Sequence, residues 1–172
     1  MTKARFLAPL IIILITVSAC KVGAAKDNAA QSIQNAISQA QSSSVLPALD
    51  TSDSLAGPDA DNNGVRDDID AYINGLTYSP AQKAALRQLS ASFSLEITAN
   101  PLNSAALNAA DLKVNRAINC LNSSFDTATF NAMFNTIQKY TFNTKARVNA
   151  YLQYSSALNG ISPPDVEGNT CD

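Results

Sequence analysis

The chain has 172 residues, a length that indicates one domain of modest size. Its 12 basic and 14 acidic residues give it a slightly negative net charge. It contains no histidine, so the commonest general base and the commonest transition-metal ligand are both missing. Lysine and arginine form no cluster or stripe along the sequence, which argues against a nucleic acid partner.

The first twenty residues, MTKARFLAPLIIILITVSAC, have the layout of an export signal. Two basic residues precede an apolar run over residues 6–17, which is too short to span a bilayer comfortably. The stretch ends in VSAC, at residues 17–20, which resembles the lipobox of bacterial lipoproteins. The resemblance implies that residues 1–19 are a signal peptide and that Cys20 becomes a lipidated N-terminus. An uncleaved anchor, or a signal that is cleaved without lipidation, is the alternative interpretation.

A lipidated cysteine would attach the protein to a membrane outside the cytosol. By the resemblance, Cys20 carries three acyl chains, and each buried methylene contributes about 0.8 kcal/mol, so the attachment is nearly permanent. Lys21 stands where lipoproteins retained in the inner membrane often carry aspartate. We therefore expect a lipid-anchored protein of the bacterial cell envelope, located in the outer membrane on its periplasmic or surface face.

Residues 20–57 have the composition of a flexible tether. They are rich in Ala, Ser, Gln and Asn and contain few large apolar side chains, so they bury too little surface to offset the entropy lost on ordering. Ile33 and Ile37 have the spacing of a short, weak helix within this segment. The sequence therefore predicts a lipidated N-terminus and tether over residues 20–57, followed by a folded domain over residues 58–172.

The first motif of the folded domain is the stretch DADNNGVRDDID, which holds five of the 14 acidic residues. Its oxygen-bearing residues follow the EF-hand calcium loop, with side chains at the first, third, fifth, ninth and twelfth positions and a backbone carbonyl at the seventh. Gly64 stands at the sixth position, where it allows a sharp turn because it lacks a Cβ. A Ca²⁺ ion would also relieve the repulsion among the clustered carboxylates. The predicted ligands are Asp59, Asp61, Asn63, the carbonyl of Val65, Asp67 and Asp70.

The loop resembles the calcium repeats of thrombospondin type 3 and related bacterial modules more than a regulatory EF-hand. Arg66 stands at the eighth position, where regulatory loops carry an aliphatic residue, and Asp70 replaces their glutamate at the twelfth. Asn63 in place of aspartate also lowers the negative charge. These departures imply a modest affinity, about 10⁻⁴–10⁻³ M, as in extracellular modules. Magnesium fits worse because it prefers fewer protein oxygens, and the alternative without a metal is a solvated turn rich in Asp, Asn and Gly.

The remaining sequence has helical periodicity and no strong strand pattern. It predicts an all-α fold, a small bundle of about four helices preceded by the calcium loop and a short helix that the ion orients. The longer helices are predicted to start at Pro80 and near Ser104, Asp126 and Asn143, and Glu96 is predicted on an exposed face. The predicted apolar positions are, in chain order, Ile69, Tyr72 and Ile73; Leu86, Leu89, Phe93 and Ile97; Leu107, Val114, Ile118 and Leu121; Phe130, Met133, Phe134 and Ile137; and Val148, Tyr151, Leu152 and Leu158.

Two cysteines remain once Cys20 is acylated, Cys120 and Cys171. A compartment outside the cytosol permits oxidation, so we predict a disulfide between them. The bond would close a loop of about fifty residues and stabilise the fold by about 4 kcal/mol in the chain-entropy treatment. Cys171 would then bring the extended C-terminal tail back onto the second long helix. Two unpaired thiols or an intermolecular bridge are the alternatives.

No motif in the sequence supports catalysis. The absence of histidine excludes Ser-His-Asp and Cys-His catalysis, and the two glutamates, Glu96 and Glu167, lie far apart. We expect no enzyme activity and no small-molecule substrate, and we interpret the chain as a non-catalytic binding or accessory module with an envelope protein as its partner. A purely structural surface lipoprotein, or a hydrolase that uses carboxylates, is the alternative.

Two further patterns bear on the partner. The string NGVRDDIDAYI, at residues 63–73, resembles one that recurs in uncharacterised envelope proteins of Gram-negative bacteria. Tyr140, Tyr151 and Tyr154 either contribute to a partner-binding surface or form the rim of the core, and the second interpretation is preferred.

Overall fold

The computed structural model describes residues 48–159, 166 and 168–172. The predicted signal peptide, the predicted lipidation site Cys20 and residues 20–47 of the predicted tether lie outside the described residues. Residues 48–57 are described, and two of them accept hydrogen bonds from the helical domain.

The described chain forms five helices: α1 Asp67–Gly75, α2 Pro80–Thr98, α3 Ser104–Ser124, α4 Thr127–Thr141 and α5 Lys145–Ala157. The described residues contain no strand, so the predicted all-α fold, with four longer helices after one short helix, is confirmed. None of the helices in the described part of the chain combines the length and the apolar content that a bilayer span requires.

Short polar side chains at the N-cap positions set the helix starts. Ser79 and Gln82 form a capping box at the start of α2, where Pro80 occupies the first turn. At α3, α4 and α5 the preceding side chain accepts hydrogen bonds from the first backbone N–H groups of the helix; these caps are Asn103, Asp126 and Thr144. Each cap satisfies N–H groups that have no partner within their own helix. The starts of α2, α3 and α4 are those that the sequence predicts.

Helix α2 is the centre of the core and contacts all four other helices. Its residues Leu86, Leu89 and Phe93 are 2% exposed or less, as the predicted apolar stripe at steps of three and four requires. Ile69 and Ile73 of α1 are fully buried in the same core. The predicted docking of the short helix is therefore confirmed. Helices α3 and α4 complete the core with Val114, Ala117, Cys120, Leu121 and Ile137.

Helix α5 departs from its predicted packing. Two of its predicted apolar positions are exposed, Val148 at 40% and Leu152 at 58%, whereas Arg147 and Tyr154 are its buried residues. The prediction for Val148 and Leu152 is wrong because it assumed that the apolar side chains of α5 all face the core. The helix instead buries the guanidinium group of Arg147, which finds an acidic partner 97 residues earlier in the chain.

Glu96 also lies differently from its prediction. The predicted exposed face is wrong, since the residue is 7% exposed and lies near Asp111 and Tyr154. Glu96 Oε2 and the Tyr154 hydroxyl have no hydrogen-bond partner within the described residues. Burial, with a smaller contribution from Asp111, raises the pKa of Glu96 to about 8. The side chain is therefore mostly protonated at neutral pH.

The predicted disulfide is present, and it ties the C-terminal tail to the bundle. Cys120 of α3 and Cys171 are joined, with their Cα atoms 4.9 Å apart. Gln88 of α2 holds the same tail, because it donates to the Thr170 carbonyl at 2.8 Å and accepts from the Asp172 N–H at 3.2 Å. Residues 168–172 therefore lie across α2 and α3.

Removing the disulfide should lower the stability of the domain. In a Cys120→Ala, Cys171→Ala double variant we expect the free energy of unfolding to fall by about 2–4 kcal/mol, because the unfolded chain regains the entropy of an open loop. Urea denaturation of the full-length wild-type and variant proteins, purified in detergent, measures this difference. Reduction of the wild-type protein should lower its stability by a similar amount, and an unchanged midpoint in the variant would contradict the expectation.

Glu96 should make the stability of the domain depend on pH. Because its pKa is raised from 4.5 to about 8, the folded state binds more protons than the unfolded state between these values. The free energy of unfolding should therefore fall as pH rises through this window, by up to about 1.4 kcal/mol per pH unit. Glu96→Gln should remove most of the slope, with the remainder due to Asp111, whose pKa is also raised by burial.

Thermal unfolding followed by circular dichroism between pH about 4.5 and 8 measures this slope for each variant. Asp53→Asn is the matched control, because Asp53 is an exposed carboxylate. Parallel pH profiles for the wild-type protein and Glu96→Gln would show that Glu96 does not retain its proton in the folded state.

Candidate metal centre

The loop of residues 59–70 turns tightly over residues 59–66 and then enters α1. Asn62 has a φ of 56° and Gly64 a φ of 81°, so the chain enters the left-handed region twice within this loop. The Asp59 carboxylate lies inside the turn, where it accepts hydrogen bonds from the backbone N–H groups of Asn63 at 3.1 Å and Gly64 at 2.9 Å. Gly64 thus makes the sharp turn that the sequence predicts.

Three carboxylates meet in this loop. Asp59, Asp61 and Asp67 each offer one oxygen atom, and these oxygens all lie within 4.8 Å of one another. A Ca²⁺ ion binds oxygens at about 2.3–2.6 Å, so two of its ligands lie at most about 5.2 Å apart. The three oxygens therefore fit a single ion of this size, and they are the hard donors that Ca²⁺ prefers.

No basic side chain neutralises these three carboxylates within the described residues, since the ion pairs found there all involve other acidic residues. Two charges about 4 Å apart interact by roughly 1 kcal/mol in water and about 4 kcal/mol at the effective dielectric constant of a protein surface. Asp61 and Asp67 are exposed and Asp59 is half-buried, so water screens their repulsion towards the lower of these values. A bound cation would convert this repulsion into attraction.

Asn63 and Val65, at the fifth and seventh loop positions, have different surroundings. Asn63 is exposed; its amide donates to Asp61 Oδ2 at 3.0 Å, and its side-chain oxygen accepts from the Val65 N–H at 2.7 Å. The Val65 side chain is 1% exposed and belongs to the hydrophobic core. The loop is thus attached to the core at its seventh position, while its acidic side chains lie near solvent.

Asp70, the predicted ligand at the twelfth position, lies outside the group of three. Its carboxylate accepts hydrogen bonds from Arg87 Nε at 2.5 Å and from Asn74 Nδ2 at 3.0 Å. Arg87 belongs to α2, so this ion pair joins the start of α1 to the central helix. Three of the predicted carboxylate ligands are therefore brought together, and the fourth is held by the neighbouring helix.

A charged network beside the loop is not predicted by the sequence. Arg66 is 2% exposed and donates to both oxygens of Asp68, at 2.6 and 2.9 Å, and to the Tyr140 carbonyl at 2.8 Å. Asn143 Oδ1 accepts both from Arg66, at 3.3 Å, and from the fully buried Arg147, at 2.7 Å. The sequence contains one indication of this network. Arg66 stands at the eighth loop position, where regulatory loops carry an aliphatic residue.

Residues 50–57, which we call the strap, cover these two guanidinium groups. Arg147 donates to Asp50 Oδ2 at 2.5 Å, to the Asp50 carbonyl at 2.8 Å and to the Leu55 carbonyl at 3.2 Å. The hydrogen bond from Arg147 lowers the pKa of Asp50 to about 2. The Asp50 N–H in turn donates to Asp68 Oδ2 at 2.6 Å. The strap thus packs on the folded domain, although the sequence assigns it to the tether.

An apolar groove runs between α2 and α3. Leu95 is 46% exposed and Leu112 is 38% exposed, and both line a groove of about 470 Å³. Tyr154 is 3% exposed, and Tyr140 and Tyr151 are half-buried, as expected for residues of the core and its rim. Two of the exposed leucines therefore lie together in this groove, whereas the three tyrosines belong to the core and its rim.

No protein-family model, no curated protein and no solved structure matches the chain. The interpretation of its function therefore depends on the geometry of the loop and on the sequence.

Proposed function

We propose that this chain is a lipid-anchored protein of the bacterial cell envelope whose loop, residues 59–70, binds one structural Ca²⁺ ion. The observation that carries the proposal is the convergence of the Asp59, Asp61 and Asp67 oxygens within 4.8 Å of one another. In the described part of the chain no basic residue neutralises them. The protein then acts as a non-catalytic binding or accessory module.

The ion would be held by oxygen atoms alone. Its ligands would be the carboxylates of Asp59, Asp61 and Asp67, the side-chain oxygen of Asn63 and the backbone carbonyl of Val65, following the loop pattern. Bound Ca²⁺ supplies positive charge and a common point of attachment for the loop. Asp70 joins this set only after it leaves Arg87, which binds its carboxylate at 2.5 Å.

A structural role suits the position of the loop. Val65 is 1% exposed, and the helix that follows places Ile69 and Ile73 in the core, both fully buried. An ion that fixes the loop therefore fixes the position from which α1 packs onto α2. Because the ion binds the folded loop and not the unfolded chain, its binding adds to the stability of the whole domain.

The proposed location rests on the N-terminal sequence and agrees with the disulfide. The lipobox at residues 17–20 supports lipidation of Cys20, and the Cys120–Cys171 bond is of a kind that persists outside the cytosol. A site of modest affinity also suits an extracytoplasmic protein, because calcium sites of extracellular modules work at about 10⁻⁴–10⁻³ M.

The groove between α2 and α3 favours a binding module over a spacer. Leu95 and Leu112 expose apolar side chains that a spacer has no need to expose, and they line one continuous groove. A groove with an apolar lining accommodates an apolar segment of a partner protein.

Calcium binding should depend on the converging carboxylates. Calorimetric titration of the full-length protein in detergent should show one site with a dissociation constant of about 10⁻⁴–10⁻³ M. Asp59→Ala and Asp61→Ala should each weaken binding by at least about tenfold, equivalent to about 1.4 kcal/mol, because each removes a charged ligand. Asp53→Ala, which removes an exposed carboxylate from the strap, is the matched control for charge.

Asp70→Asn distinguishes the observed geometry from a full EF-hand pattern. Because Arg87 holds Asp70, this substitution should weaken calcium binding less than Asp61→Ala does. Binding heat that persists unchanged in Asp59→Ala and Asp61→Ala would place the ion elsewhere in the protein.

The structural role predicts a melting temperature that depends on calcium. About 10 mM Ca²⁺ should stabilise the wild-type domain by about 1.4–2.7 kcal/mol if the dissociation constant lies in the expected range, and a chelator should remove this gain. Differential scanning calorimetry with Ca²⁺ or with chelator measures the shift, and Asp61→Ala should lose most of it. A wild-type melting temperature that is indifferent to the chelator would refute the structural role.

Lipidation of Cys20 is a separate expectation. Cells that express the full chain and are fed labelled palmitate should incorporate the label, and Cys20→Ser should abolish it because the acceptor sulfur is gone. Cys171→Ser, which alters a cysteine of the disulfide, should retain the label. Label that persists in Cys20→Ser would mean that the chain is anchored in another way.

A further inference from the structure

We propose that calcium binding and docking of the strap stabilise each other. This coupling rests on the proposed calcium site and extends its effect to residues that do not contact the ion. It depends on contacts that residues 66–68, at the end of the loop, make with residues 50–58.

Asp68 connects the loop to the strap. It follows Asp67, one of the three converging carboxylates, and its own carboxylate binds Arg66 through both oxygens. The same carboxylate accepts the Asp50 N–H at 2.6 Å. The Asp67 N–H donates to the carbonyl of Pro58, the residue directly after the strap, at 2.9 Å. A movement of residue 67 therefore disturbs two contacts: the one that the Asp68 carboxylate makes with Asp50 at the start of the strap, and the one that the Asp67 N–H makes with Pro58 just after its end.

Gly57 brings the strap backbone directly against Arg66. Gly57 has a φ of 72°, and a Cβ at this position would collide with Arg66 Cδ and lie 3.1 Å from Arg147 Nη2. Asn143 completes the contact, because it accepts from both guanidinium groups and donates to the Asp50 carbonyl at 2.9 Å. The strap, the end of the loop and the start of α5 are therefore packed as one unit.

The buried guanidinium groups make this unit respond to the loop. Arg66 and Arg147 are 2% and 0% exposed, so each depends on the acceptors that surround it. An ion that binds Asp67 restrains residues 66–68 in the arrangement that the strap requires. Without the ion these residues leave that arrangement more often, and the strap then loses the acceptors that hold it. The calcium and docking equilibria are coupled because both require the same arrangement of residues 66–68.

Thermodynamic linkage makes the coupling reciprocal. Calcium increases the docked fraction of the strap, and a docked strap raises the calcium affinity by the same factor, which for coupled sites is typically about 5- to 150-fold. When the strap detaches, residues 50–57 no longer contact Arg66 and Arg147. Fully extended, these released residues span at most about 26–29 Å.

Hydrogen exchange of the full-length protein in detergent tests the coupling directly. We expect amide exchange in residues 50–57 to slow by at least about fivefold when Ca²⁺ replaces a chelator. Residues 168–172 are the internal control, because this tail is equally peripheral but is held by Gln88 and the disulfide. Slower exchange in residues 59–70 with unchanged exchange in the strap would overturn the coupling and leave the calcium site intact.

Asp50→Ala supplies the reciprocal measurement by calorimetry. This substitution removes the carboxylate that Arg147 binds but no proposed calcium ligand. Asp53→Ala removes the same charge from an exposed position of the strap. The coupling predicts that Ca²⁺ binds Asp50→Ala at least about fivefold more weakly than it binds Asp53→Ala. Equal dissociation constants would refute the coupling, whereas a wild-type protein that shows no binding heat would refute the calcium site and the coupling with it.

Discussion

The burial of two guanidinium groups is the constraint on which the loop, the strap and α5 depend. Arg66 and Arg147 are almost completely buried, and taking a charged group out of water costs several kcal/mol unless its donors are paired. Their partners come from the strap, the first turn of α1, the end of α4 and Asn143. Each of these segments is therefore held in place by its acceptors. This matters most for α5, which exposes Val148 and Leu152 and so gains less from apolar packing.

The candidate calcium loop is part of this arrangement and not an appendage to it. Its seventh residue, Val65, lies in the hydrophobic core, and its eighth, Arg66, lies in the charged network, while Asp61 and Asp67 lie near solvent. A metal that binds here meets a loop whose inner side is held by the docked strap through Arg66 and Asp68. Pre-organisation of this kind reduces the entropy lost on binding. It would partly compensate for a ligand set that the ion pair of Asp70 with Arg87 weakens.

The local features of the fold could be predicted from the sequence, whereas the long-range polar contacts could not. N-caps and the apolar stripe of α2 depend on residues a few positions apart, and the predicted lipidation of Cys20 leaves one pair of cysteines for a disulfide. The sequence places Glu96 on the wrong face and does not predict the burial of Arg147, because helical periodicity treats polar residues as exposed. Arg147 is buried because it pairs with Asp50, 97 residues earlier in the chain, and also donates to Leu55 and Asn143. In the loop, spacing predicts the convergence of three carboxylates, but the ion pair that holds Asp70 depends on packing against Arg87 of another helix.

The two ends of the domain each contact α2, at neighbouring residues of that helix. Arg87 binds Asp70 at the end of the loop, and Gln88 binds Thr170 in the tail that the disulfide joins to α3. Because α2 contacts every other described helix, a restraint at either end reaches the centre of the core. A domain of about a hundred residues buries a smaller share of its surface than a larger one, so cross-links contribute more to its stability. The tail that the disulfide tethers and the ion pair of Asp70 therefore hold neighbouring residues of α2 from the two ends of the domain, and neither contact requires a larger apolar core.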